Sequence, residues 1–108
     1  MEEKFSIQPY LTDVEILRLT AEQIKKDLAF FALPVTFSGS RENAYEELFD
    51  QVHPHVKKLM ETDFEKFLSL LYRVDIHEKQ LRAADDRQIT ELIIKRCLQK
   101  VVLRKLFS

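Results

Sequence analysis

The sequence predicts an all-α fold: a compact antiparallel four-helix bundle with a kinked second helix and a short extended N-terminal arm. Two observations carry this. One Gly and three Pro among 108 residues are too few turn-formers for the many tight reversals of a sandwich or barrel. Apolar side chains recur at steps of three and four through most of the chain, the spacing that gathers them on one face of a helix. With 45% hydrophobic and 32% charged residues, the chain has both a core to bury and a surface to solvate, unlike a disordered segment. The length favours a single helical domain over residues 1–108.

The arm covers residues 1–11, where Phe5 and Ile7 alternate weakly before Pro9-Tyr10. The first helix spans about 13–33. Thr12 and Glu15 have capping-box spacing, and Val14, Leu17, Ala21, Ile24, Leu28 and Phe31 form one narrow seam. Leu33-Pro34 ends it, because Pro removes a donor and pushes the preceding residue out of helical geometry. After a connector with Phe37 tucked against the body, Ser40 is a fair N-cap for a helix over 41–60. Its apolar face, Tyr45, Leu48, Phe49, Val52, Val56, Leu59 and Met60, continues across Pro54, so one kinked helix is expected rather than two.

Thr62 or Asp63 caps a third helix, 63–83, with Phe64, Phe67, Leu68, Leu71 and Val74 inward and Glu65, Lys66, Ser69 and Arg73 outward. The segment Asp75-Ile76-His77-Glu78 either continues that helix or restarts one. Asp86 is the candidate cap of the last helix, 87–107. There the apolar residues, from Ile89 through Cys97 to Leu103 and Leu106, spread over most of the circumference. Either this helix is central to the bundle or one flank serves a second subunit or partner.

Chemistry-bearing patterns are sparse. The lone Cys97 excludes an internal disulfide and a multi-cysteine zinc cluster, and its apolar neighbours Ile93, Ile94, Leu98 and Val101 describe a buried, inert thiol. The sole glycine, Gly39, cannot build a Gly-x-Ser-x-Gly elbow or a phosphate-cradling loop. No cofactor is expected, and an enzyme is the less favoured reading. Asp50 and His53 share a helix face, with Glu46 or Glu47 one turn earlier as further oxygen ligands, so a single metal ion held there is one alternative. His53 and His55 flank Pro54 on different faces and cannot both point at one ion from regular geometry.

Charge is uneven. Residues 88–108 carry Lys95, Arg96, Lys100, Arg104 and Lys105 against Glu91 alone. The stripe Arg96, Lys100 and Arg104 suits phosphates or an acidic lipid face, although cations near a helix C-terminus also complement its dipole without any ligand. Overall basicity and a recognition-helix turn are missing, which disfavours nucleic acid. Phe30 lies off the seam of the first helix, with Leu19 and Ile16 on the same back side, as a second apolar patch that either receives the arm carrying Phe5 and Ile7 or is a docking surface. Together with Leu103 on the last helix, Phe30 and Leu19 point to a protein partner, itself or another chain, and to a non-enzymatic interaction or adaptor domain that is homodimeric in one version. The longest strongly apolar uncharged stretch, 28–37, is broken by Pro34 and is about half of the roughly 20 residues a membrane span needs. The acidic start Met1-Glu2-Glu3-Lys4 is unlike a signal peptide. A cytoplasmic protein is expected.

Overall fold

The computed structural model describes Tyr10, residues 13–38 and residues 43–107. The rest of the expected arm, and the expected caps Thr12 and Ser40, lie outside the described residues. Among the described residues the chain forms four α-helices, α1 (Val14–Ala29), α2 (Ala44–Thr62), α3 (Phe64–Val74) and α4 (Asp86–Leu106), with a short 3-10 turn at Glu78–Leu81 before α4. None of these helices is long and apolar enough to cross a membrane.

Asp13, rather than the expected Thr12, caps α1, its carboxylate accepting from the Ile16 N–H at 3.1 Å. The helix stops four residues short of Leu33, and not because of Pro34. Leu33 N–H bonds Leu28 C=O at 3.0 Å and Ala32 N–H bonds Ala29 C=O at 2.9 Å, while Ala32 turns to φ 61°. That is a Schellman ending with alanine at the left-handed position usually taken by glycine. α3 ends the same way. Asp75 sits at φ 76°, Ile76 N–H bonds Leu71 C=O and Asp75 N–H bonds Tyr72 C=O. The expected helix over 63–83 therefore stops at Val74, and only a 3-10 turn follows, held by reciprocal bonds between His77 and Gln80.

Two further caps differ from the sequence reading. α2 starts after Asn43, which makes no side-chain capping bond. The cap of α4 is Asp85, boxed with Gln88, and Asp86 is the first helical residue. Asp63 caps α3 as expected, accepting from Lys66 N–H at 3.1 Å. α2 runs unbroken through Pro54.

α4 is the helix the others gather round. Its buried residues come in doublets four apart, Ile89 and Thr90, Ile93 and Ile94, Cys97 and Leu98, Val101 and Val102. Each doublet presents two neighbouring stripes about 100° apart, so the helix packs on more than one side at once. Ile89, Ile93, Ile94 and Cys97 join the main core with Ile24, Leu28, Val52 and Phe67, whereas Leu98, Val101 and Val102 form a second cluster with Ile16, Leu17 and Ala44. α2 and α4 are antiparallel: His53 meets Asp86, the Arg87 guanidinium lies 4.6 Å over the Phe49 ring, and Ala44 packs in one cluster with Leu98.

α3 is rotated from its expected face. Phe67, Leu70, Leu71 and Val74 are buried, but Phe64 is exposed, its ring tilted at 43° to that of Phe67 with centroids 5.4 Å apart. The connector after α1 is extended and is gripped by α2. His55 Nε2 donates to Pro34 C=O at 2.8 Å, Thr36 N–H donates to Gln51 Oε1 at 3.2 Å, and Ser38 N–H donates to Glu47 Oε2 at 2.7 Å. The three side chains lie four apart on one helix face. Phe37 is half-buried against both clusters, as expected.

Candidate functional site

The residues that stand out chemically meet where the end of α1 crosses α3. Asp27 lies on the buried stripe of α1 and is 3% exposed. An isolated buried carboxylate is costly unless it is paired and hydrogen-bonded, and this one is well supplied. Arg73 Nε donates to Oδ1 at 3.2 Å, Gln23 Nε2 donates to Oδ2 at 3.1 Å, and the Cys97 thiol points at Oδ2 from 3.8 Å. Gln23 is held in turn by Arg104, whose Nη2 donates to Oε1 at 2.9 Å. Burial and the neighbouring Asp27 carboxylate push the Cys97 thiol up to about 12, so it stays protonated and cannot act as a nucleophile near neutrality. The group is a structural knot between α1, α3 and α4.

The knot has one outward consequence. With its Nε edge turned to Asp27, the Arg73 guanidinium lies 4.5 Å over the Phe30 ring. Both residues line a groove of about 900 Å³ between the end of α1, the outer side of α3 and the 3-10 turn. Its walls are chiefly apolar, including Phe31, Leu68, Leu71, Ile76 and Leu81, and its rim carries Tyr72, 87% exposed, and Phe30, 69% exposed. A cleft of this size, apolar with a few convergent polar groups, is the usual form of a binding site. His77 and Glu78 line the groove at the turn and also line an adjoining cleft with Lys79 and Arg82.

The sequence-derived candidates are dispersed. Phe30 faces the groove. Leu19 and Ile16 do not share its patch: Ile16 is buried and Leu19 half-buried against the α4 cluster of Leu98, Val101 and Val102, because α4 lies along that side of α1. Leu103 is 47% exposed near the end of α4, where Leu106 and Phe107 are exposed as well. The basic stripe is occupied. Arg96 Nη2 donates to Asp75 Oδ2 at 2.8 Å, Lys100 Nζ donates to Arg73 C=O at 3.5 Å, and Arg104 holds Gln23. Arg96 and Lys100 thus meet the C-terminal end of α3, where cations complement the exposed carbonyls.

Asp50 and His53 are not drawn together as a pair. His53 bonds Asp86 and stacks on Phe49, Glu47 is taken by Ser38, and Glu46 and Asp50 are exposed. Among the described residues no three His, Cys, Asp or Glu side chains converge as a metal cluster would require. The sequence reading missed Asp27, although the signal is plain in retrospect: Asp27 falls three after Ile24 and four before Phe31, a charge on an apolar stripe. It also set Arg73 among the outward residues and passed over Tyr72. Compared with known proteins, the chain matches no family model, no curated protein and no solved structure.

Proposed function

We propose that the chain is a non-enzymatic protein–protein interaction domain that docks a partner, a second copy of itself or another chain, in the groove beside Phe30 and Tyr72. The observation that carries this reading is the pair of exposed aromatic rings on the rim of an apolar cleft whose floor is braced by the Asp27–Arg73 pair. Aromatic and arginine side chains are the groups that most often anchor interfaces. A rigid support makes the site ready without ordering cost on binding. Among the described residues the unreactive thiol and the dispersed acid and base groups supply no catalytic constellation, and an adaptor is therefore preferred to an enzyme. A single, buried, unpaired cysteine fits a cytoplasmic setting.

The test is sedimentation and light scattering of the purified chain across a wide concentration range, alone and with co-purifying proteins identified by mass spectrometry. A dimer or a stoichiometric partner is expected, weakened by Phe30→Glu. Leu103→Glu reports separately on the exposed end of α4. A strict monomer that retains no partner refutes the reading.

A further inference from the structure

We propose that the groove between α1, α3 and the 3-10 turn takes an acidic amphipathic peptide segment, whose apolar side chains lie between Phe30 and Tyr72 while a carboxylate engages the outer edge of Arg73. The inference rests on the interaction-domain reading and names the chemistry of the partner.

Charge complementarity chooses this occupant. The Arg73 guanidinium spends its Nε edge on Asp27 and one face on Phe30. Among the described residues its two Nη groups have no hydrogen-bond partner, and the side chain lines the groove. A guanidinium fixed on one edge and one face can still offer two parallel donors end-on, the geometry that suits a carboxylate. Lys79 and Arg82, in the adjoining cleft, make no ion pair among the described residues, and Glu78 is the acid beside them. Asp75 does not add a free negative charge to this end of α3, because Arg96 neutralises it. With Asp27 set against Arg73 and Asp75 against Arg96, Lys79 and Arg82 against Glu78 leave this face a single positive charge, on a chain whose net charge is −1. Two exposed rings, Phe30 and Tyr72, line the groove, which suits the apolar side chains of an extended or helical segment laid across it.

The experiment is selection from a displayed library of random peptides of about twelve residues, long enough to present anchors at i, i+3 and i+7, on the full chain. Enriched peptides are expected to combine large apolar residues with Asp or Glu. Tyr72→Glu is the decisive variant, since Tyr72 is 87% exposed and its replacement leaves the core untouched. It is expected to weaken the selected peptides by roughly ten-fold or more, as loss of a central anchor does. Lys79→Glu with Arg82→Glu is expected to weaken them less, and more so at low salt. Enrichment of basic or uncharged peptides overturns the proposal, and so does binding unaffected by Tyr72→Glu. Peptides lost with Leu103→Glu instead, or self-association lost with Tyr72→Glu and no peptide enriched, overturn the acidic segment while keeping an interaction domain. A monomer that enriches nothing overturns both.

Discussion

Asp27 shows how one side chain organises a region. Its two oxygens gather donors from three helices, and the pair with Arg73 fixes a guanidinium that lines the groove. The two members differ in what their loss leaves behind. Arg73→Ala strands a buried carboxylate and is expected to cost about 3 kcal/mol. Asp27→Asn keeps an acceptor for Arg73, which is partly solvated, and is expected to cost about 1 kcal/mol. Urea denaturation of both variants checks the order, and equal losses would mean that the pair is not the bracing element. Left-handed alanine offers a second residue-scale test. Ala32 carries φ 61° with a Cβ that glycine lacks, so Ala32→Gly is expected to raise stability by up to about 1 kcal/mol. A fall in the denaturation midpoint would contradict the Schellman assignment. Neither feature was easy to see beforehand. The stripe containing Asp27 was legible, but a charge on it reads as noise until its partner from a distant helix is known.

At the scale of elements, helix type and order were readable because steps of three and four are local, and the ends were not, because ends are decided by single caps. Asp13, Asp63 and Asp85 each cap through a bond spanning three residues. Neighbouring Thr12, Thr62 and Asp86 are equally good on paper. α3 was cut short at Asp75 by a left-handed turn that most residue types resist, and the apolar pattern continues past it in Ile76 and Leu81. Two inter-helix contacts make stability depend on acidity. The hydrogen bond from Arg96 holds the Asp75 carboxyl below its usual range, and that from His53 does the same for Asp86. A carboxylate with a lowered folded value stabilises the fold above the ordinary carboxylate range and loses that contribution as pH falls through the folded value. The urea midpoint is thus expected to be flat near neutrality and to drop in acid. Asp75→Asn with Asp86→Asn is expected to lower the neutral plateau and soften the acid fall, and an unchanged acid slope would exclude these contacts as its source.

For the whole molecule, the arrangement round α4 explains what the sequence showed as an excess of apolar residues on the last helix. The doublets bury most of that excess within one copy, and what remains outside is confined to Leu103, Leu106 and Phe107 at its end. The expected second patch on α1 shrank in the same way, with Ile16 and Leu19 covered and only Phe30 left exposed. Periodicity reports that a face is apolar. Which neighbour covers it depends on crossing geometry that one helix does not encode, so the groove, built from the ends of α1 and α3, was invisible as a unit.

The polar row Glu47, Gln51 and His55 holds alternate residues of the connector, Ser38, Thr36 and Pro34. One rung of the helix, four residues long, matches two residues of extended backbone, so the segment is registered like a tape against a ruler. Adding or deleting a single residue between 34 and 38 would put the rungs on its two sides out of phase with each other, whereas a change of two would bring them back into phase. Length in steps of two, more than side-chain identity, is what this stretch is bound to keep.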